Sequence, residues 1–244
     1  MAETFVLVHG AWHGAWCWAA VMRQLELGGD RAFALDLPGR GSHPMDHAKI
    51  TREVWVDAVV RFIEDHGLRD VVLAGHSLGG LTITGVGLSI PNRIKRLIYV
   101  TALVPPEQAS ILDDIVPNLS AEARDSMEML EGGVSSMLSA ARFRSHFIQD
   151  GSRDLQDFVL AALRPEAMIP WSQPVPMRDF YALNIPTSYV ACEDDLVMDD
   201  PRAWHPGLSS RLRNPTMRSI KAGHELMFTR PVECARALAE LARE

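Results

Sequence analysis

Short apolar runs punctuate the first hundred residues. Phe5–Val8, Ala32–Leu35, Val71–Ala74 and Arg96–Val100 are each bounded by Gly, Pro or polar residues, the pattern of strands buried on both faces. Between them lie stretches of helical period. Ala15–Leu27 stops at Gly28-Gly29, and a helix capped by Thr51 runs to His66 with charge on one face and Val, Trp, Phe and Ile on the other. Leu78–Ile90 closes at Pro91. Alternating strand and helix at this spacing predicts right-handed crossovers and a mostly parallel sheet covered on both faces, an α/β fold.

The rhythm breaks between residues 105 and 183, where Met, Pro, Ser and weakly amphipathic helical stretches replace buried strands. It resumes with Thr187–Val190, Met217–Ile220 and a closing helix, Pro231–Arg243. The chain therefore divides into a core of residues 1–104 and 184–244, with a helical lid, 105–183, inserted over the active face.

Composition narrows the function classes. Of 244 residues, 47% are hydrophobic and 23% charged, and the formal net charge is −7 with no Lys/Arg run, which argues against nucleic-acid and anionic-membrane partners. The first residues, MAETFVLVHG, lack the basic start and long apolar core of a signal peptide. Cys17, Cys192 and Cys234 are far apart, so neither a disulfide framework nor a zinc site is expected, and a reduced cytoplasmic protein is. His9 and His13 would need a helix and a third ligand to hold a metal, so no metal or cofactor is expected.

The segment Gly75-His76-Ser77-Leu78-Gly79 joins a predicted strand to a predicted helix. Strand–GxSxG–helix is the pattern of a nucleophile elbow, in which glycines admit a tight turn and the serine hydroxyl stands at the carboxyl edge of the sheet. A serine needs a base and a group to orient that base. Of the nine histidines, His146, His205 and His224 follow Ser77, and His224 alone sits in a small-residue loop between a strand and the last helix. The loop after Thr187–Val190 offers Glu193, Asp194 and Asp195; Asp195 is the choice, with Asp194 as alternative. The backbone N–H groups of Leu78 and Ala11 are the expected oxyanion donors. Gly10, Trp12, Trp171 and His76 are the expected residues around the substrate, with His76, like His9 and His13, shaping the site rather than reacting. Phe143, Phe180, Met127, Met129 and Met137 suggest an apolar cavity under the lid, and the Met-rich surface suits a homodimer interface as well as a pocket.

FVLVHGAWHGAWCW, LDLPGRG, LAGHSLGG, YVACEDD and AGHELMF together resemble the α/β-hydrolase superfamily, and within it the plant methylesterase and hydroxynitrile lyase family with its bacterial esterase relatives. The likeness covers residues 5–103 and 185–242. It implies a Ser77–His224–Asp195 triad, favours Asp195 over Asp194, and implies oxyanion donors at Ala11 and Leu78 and a small-molecule ester as substrate. Two positions depart from it. The lyases carry Thr where Gly10 stands and Lys after the histidine, where this chain has Glu225; the methylesterases usually have Met there. Three rivals to an ester hydrolase follow: a lyase on the same residues, a non-catalytic binder that keeps the scaffold, and a dinucleotide enzyme. HGAWHGAW lacks the GxGxxG that the last would require.

Overall fold

In the computed structural model, which describes residues 2–244, four strands form where the apolar runs lie: β1 (Thr4–Val8), β2 (Arg31–Ala34), β3 (Val71–His76) and β4 (Ile94–Val100). Three short strands follow, β5 (Met127–Leu130), β6 (Ser135–Leu138) and β7 (Glu166–Ala167), and then β8 (Thr187–Cys192) and β9 (Thr216–Ile220). The main sheet has six strands in the order β2-β1-β3-β4-β8-β9, and every pairing is parallel.

Strand alternation sorts the core into two layers. Phe5 and Leu7 of β1 face α1 (Ala19–Leu27) and the closing helix Pro231–Ala242, packing with Trp18, Val21, Leu238 and Leu241. Val6 and Val8 face the other way, toward α2 (Arg52–Asp65) and α3 (Gly79–Ser89), among Val59, Ile63, Leu81 and Val86. Thr51 caps α2 by accepting the N–H of Val54. Nearly all of α3 is buried, so it shows no polar face.

The segment between β4 and β8 differs from the helical expectation. It combines short helical turns with a three-stranded antiparallel sheet, β5-β6-β7, and one longer helix, Arg153–Ala162. No position of Met127–Leu130 is fully buried, and β7 is two residues long, so neither carries the apolar run that marks the core strands. No helix among the described residues is long and apolar enough to cross a membrane.

Strand order sets the place of the site. β1 lies between β2 and β3, so the crossovers leaving β1 and β3 diverge and open a crevice at the carboxyl ends of these two strands. The loop after β1 and the turn after β3 meet there.

Candidate active site

Ser77 follows directly on β3 with φ of +51°, a left-handed conformation that a serine adopts only under constraint. The constraint is the closeness of what surrounds the turn. A Cβ on Gly75 would stand 2.7 Å from the carbonyl oxygen of Gly79, and one on Gly79 would stand 2.8 Å from that of His9 and 2.9 Å from that of Val8. Strand and helix approach so closely that only glycine fits on either side of the serine. Gly10 answers to the same crowding: a Cβ there would lie 2.8 Å from the Ser77 Cβ.

His224 lies in the loop after β9, fully buried. Its Nδ1–H donates to Asp195 Oδ2 at 2.6 Å, which leaves Nε2 as the basic nitrogen. Nε2 is buried and has no hydrogen-bond partner among the described residues. Asp195, also fully buried, accepts two more bonds: Thr101 Oγ1–H to Oδ2 at 2.5 Å and the Val197 N–H to Oδ1 at 3.0 Å. Asp194 is exposed, and its backbone bonds to Ala222 and Gln149. Geometry thus joins Asp195, not Asp194, to His224. An imidazole held in this way takes a proton at Nε2 and has a carboxylate at its back to balance the charge.

The amides of Ala11 and Leu78 are both in buried residues, and neither donates a hydrogen bond among the described residues. Ala11, Trp12 and Ser77 line one cleft with about 660 Å³ of empty space, part of it open to solvent. From the segment between β4 and β8 come Ile115, Val116, Leu119, Met127, Leu138, Phe147 and Trp171. Val197, Met198 and Trp204 close the wall from the loop after β8. One wall residue is charged: Arg142, whose Nη2 donates to Asp199 Oδ1 at 2.7 Å and to the Val197 carbonyl at 3.2 Å.

Gly10 and His76 lie outside this wall. Gly10 is covered by the Ser77 turn, and the His76 Nε2–H donates to the His224 carbonyl at 3.0 Å, with the two rings 4.6 Å apart. His76 stands behind His224 rather than beside a substrate. Phe143, Phe180, Met129 and Met137 also fall outside the wall. Phe147 and Trp204, which sequence reasoning passed over, place their rings 5.3 Å and 5.0 Å from that of His224. Thr101 was missed as well. The available signal was positional: Thr101 follows a core strand at the carboxyl edge where Ser77 and His224 emerge.

Behind His224 lies a buried polar cluster. Glu225 turns away from the cleft and places Oε2 3.3 Å from His13 Nε2. Burial first, then the nearby Asp195 and Asp150, push its carboxyl well above the usual range. Burial likewise lowers His13 to about 3 and His9 to about 4, and holds His76 well below its ordinary value. His13 donates Nδ1–H to the Ala11 carbonyl at 2.8 Å, so its Nε2 is the acceptor nitrogen that faces Glu225. His76, His224 and Glu225 bring three ligand-type atoms within 4.8 Å of one another. His76 Nε2 bonds the His224 carbonyl and His224 Nδ1 bonds Asp195, while His76 Nδ1, His224 Nε2 and both Glu225 carboxylate oxygens are buried with no hydrogen-bond partner among the described residues.

An elbow serine and a histidine–aspartate pair on a parallel sheet are the frame of an α/β hydrolase. Residues 5–237 match the model of the alpha/beta hydrolase family, and the chain belongs to it. Among characterised relatives, Methylesterase 7 of Arabidopsis thaliana is 27% identical, the match covering 98% of this chain and 96% of that protein. The pyrethroid hydrolase of Sphingobium wenxiniae is 28% identical over 97% of this chain and 86% of its own. A carbendazim hydrolyzing esterase of Nocardioides is 39% identical, but the match spans only 44% of this chain and 45% of that one. Among solved structures, an extracellular α/β-hydrolase from a Paenibacillus species superposes with a TM-score of 0.90 at 29% identity, covering 99% of this chain and 100% of that one. Esterase and hydrolase are the names these relatives carry, and the chain is an enzyme of that class.

Proposed function

We propose that the protein hydrolyses carboxylic esters of small, mainly apolar substrates through an acyl-enzyme. The observation that carries this reading is the bond from His224 to the fully buried Asp195, with Nε2 left unpartnered, in a fold that puts Ser77 on the strained elbow. Ser77 attacks the ester carbonyl as His224 Nε2 takes its proton. The amides of Ala11 and Leu78 stabilise the oxyanion, each contributing on the order of 3 kcal/mol to the lowered barrier. His224 then gives its proton to the departing alcohol and later activates the water that frees the acid.

Apolar substrates follow from the wall, whose one charge, on Arg142, is already met by Asp199. Residues 105–183 act as the lid that selects them, since that segment supplies more of the wall than the core does. The relatives' names, methylesterase, pyrethroid hydrolase and carbendazim hydrolyzing esterase, agree with ester cleavage on varied scaffolds. Cyanide-releasing lyase chemistry fits less well. Gly10 leaves no room for the threonine the lyases carry, and Glu225, in the place of their lysine, pairs with His13 away from the cleft.

The test is a panel of p-nitrophenyl esters, acetate through octanoate, on the wild type, Ser77→Ala and His224→Ala. Turnover in the wild type that drops at least roughly 10³-fold in both variants is the expected result. A folded wild type with no turnover, and no labelling of Ser77 by a fluorophosphonate, would sink the reading.

A further inference from the structure

Trp12, the residue after Ala11, has φ of +61°, a left-handed conformation rare for a bulky side chain. All its polar groups are held from the segment between β4 and β8. Its N–H donates to Glu166 Oε2 at 3.0 Å, its carbonyl accepts from the Arg164 N–H at 2.9 Å, and its indole Nε1–H donates to the Ser136 carbonyl at 3.1 Å. The peptide joining Ala11 to Trp12 is thereby fixed at both ends, because the Ala11 carbonyl accepts from His13 Nδ1–H.

Glu166 is only 2% exposed, and Arg40, which pairs with its Oε1, only 5%. The carboxylate also accepts the Ala167 N–H at 2.9 Å, and Arg40 reaches back to the Pro165 carbonyl. A buried ion pair is a poor device for stability alone, since the loss of hydration offsets most of the attraction. Here the pair does something an apolar contact cannot. It presents a charged acceptor to one backbone N–H of a strained loop, and charge-assisted bonds of this kind are the strong ones.

We propose that Glu166, held by Arg40, is a positioning residue that sets the oxyanion loop. By fixing the Ala11–Trp12 peptide the carboxylate anchors Ala11 itself, and so the direction in which its N–H, carried by the preceding Gly10–Ala11 peptide, faces the developing oxyanion. The donor is in place only while the lid strand β7 is docked, so lid closure and transition-state stabilisation are one event. This rests on the serine-esterase reading above.

The experiment compares Glu166→Ala, Glu166→Gln and the double variant Glu166→Met/Arg40→Met with the wild type. It measures kcat and KM for p-nitrophenyl butyrate, inhibition by an alkyl trifluoromethyl ketone that forms an oxyanion adduct on serine, and binding of p-nitrophenyl butyl ether, which forms none. Glu166→Ala lowers kcat roughly 10- to 100-fold, the scale of a misplaced donor. The ketone weakens by the same factor, while KM and ether affinity stay within about threefold because the ground state never used the donor. Glu166→Gln, which keeps an oxygen acceptor for Trp12, recovers most of kcat. The double variant replaces the ion pair with apolar volume and retains a stable fold yet keeps the kcat defect, so the result survives if Glu166→Ala does not fold. Full kcat in the double variant, or equal weakening of ketone and ether, would overturn the proposal and leave Glu166 a lid staple. Failure of the esterase reading itself looks different: the wild type then hydrolyses no ester and its Ser77 takes no fluorophosphonate.

Discussion

Asp195 is met by three donors, and only the one from His224 belongs to the proposed proton path. Thr101 is the third partner whose removal is cleanest, because valine keeps its shape. Thr101→Val takes one hydrogen bond from the carboxylate and leaves the Val197 N–H to hold it. The expected result is a kcat lower by roughly 3- to 10-fold, about the worth of one ordinary hydrogen bond, with KM unchanged. Steady-state kinetics beside Asp195→Asn, which leaves His224 without its anion, gives the scale. Wild-type kcat in Thr101→Val would reduce Thr101 to a strand ending. Its role was not legible in the sequence, for a physical reason. Thr101 and Asp195 are brought together by the parallel pairing of β4 with β8, and no spacing along the chain encodes that register. Ser77 and His224 were legible because each sits in a local pattern, strand–turn–helix or strand–loop–helix, that its own neighbours enforce.

The elbow ties β3 to α3 at a distance only glycine tolerates, and that gives a prediction about an element rather than an atom. In the body of a helix Gly→Ala normally gains about 1 kcal/mol. At Gly79 the new Cβ meets the backbone carbonyls of Val8, the last residue of β1, and of His9 just after it, which cannot move without shifting the strand end. Gly79→Ala is therefore expected to lose about 2 kcal/mol net, the usual range for overpacking, or roughly 4–8 °C in Tm for a chain of this size. Gly87→Ala meets a Leu97 methyl at 3.0 Å, the end of a side chain, and should cost clearly less. Thermal unfolding of the two variants decides it; equal losses would mean that the strand–helix approach is looser than described. The same contrast explains what could be read of the elements. Core strands buried on both faces leave apolar runs that survive in the sequence, and α3 was found by its neighbours even though it has no polar face. The strands between β4 and β8 are four residues or fewer, β5 without a buried position and β6 and β7 buried largely through Ser and Glu, and they pair with one another, so nothing in their composition distinguishes them from short helical turns.

At the scale of the whole molecule, the buried polar cluster behind the cleft makes folding respond to pH from both sides. His9, His13 and His76 titrate near pH 6.5 when unfolded but are held neutral by burial in the fold, His9 down to about 4 and His13 to about 3. As pH falls below 6.5 the unfolded chain binds protons that the folded chain refuses, so stability falls with it. Glu225 works in the opposite sense. Its unfolded pKa is near 4.5 and its folded value lies well above, so with rising pH the unfolded chain releases a proton that the folded chain keeps. Its contribution is fully present below pH 4.5 and is lost as pH rises through the folded value. Between 4.5 and 6.5 three histidines outweigh one glutamate; above 6.5 the histidines have finished and the glutamate is left to erode stability. Glu225→Gln, which cannot ionise, removes that loss while keeping the shape of the side chain. Urea unfolding at intervals from pH 5 to 9 should show the difference between variant and wild type growing by about 1.4 kcal/mol per pH unit, the slope of one proton, until the folded glutamate itself ionises. Parallel curves for the two proteins above pH 6.5 would mean that the folded chain keeps no proton on either Glu225 or His13 there, so that Glu225 is already ionised in the fold. The carboxylate that departs from the family pattern beside the proposed catalytic base would then be a buried anion rather than a neutral acid.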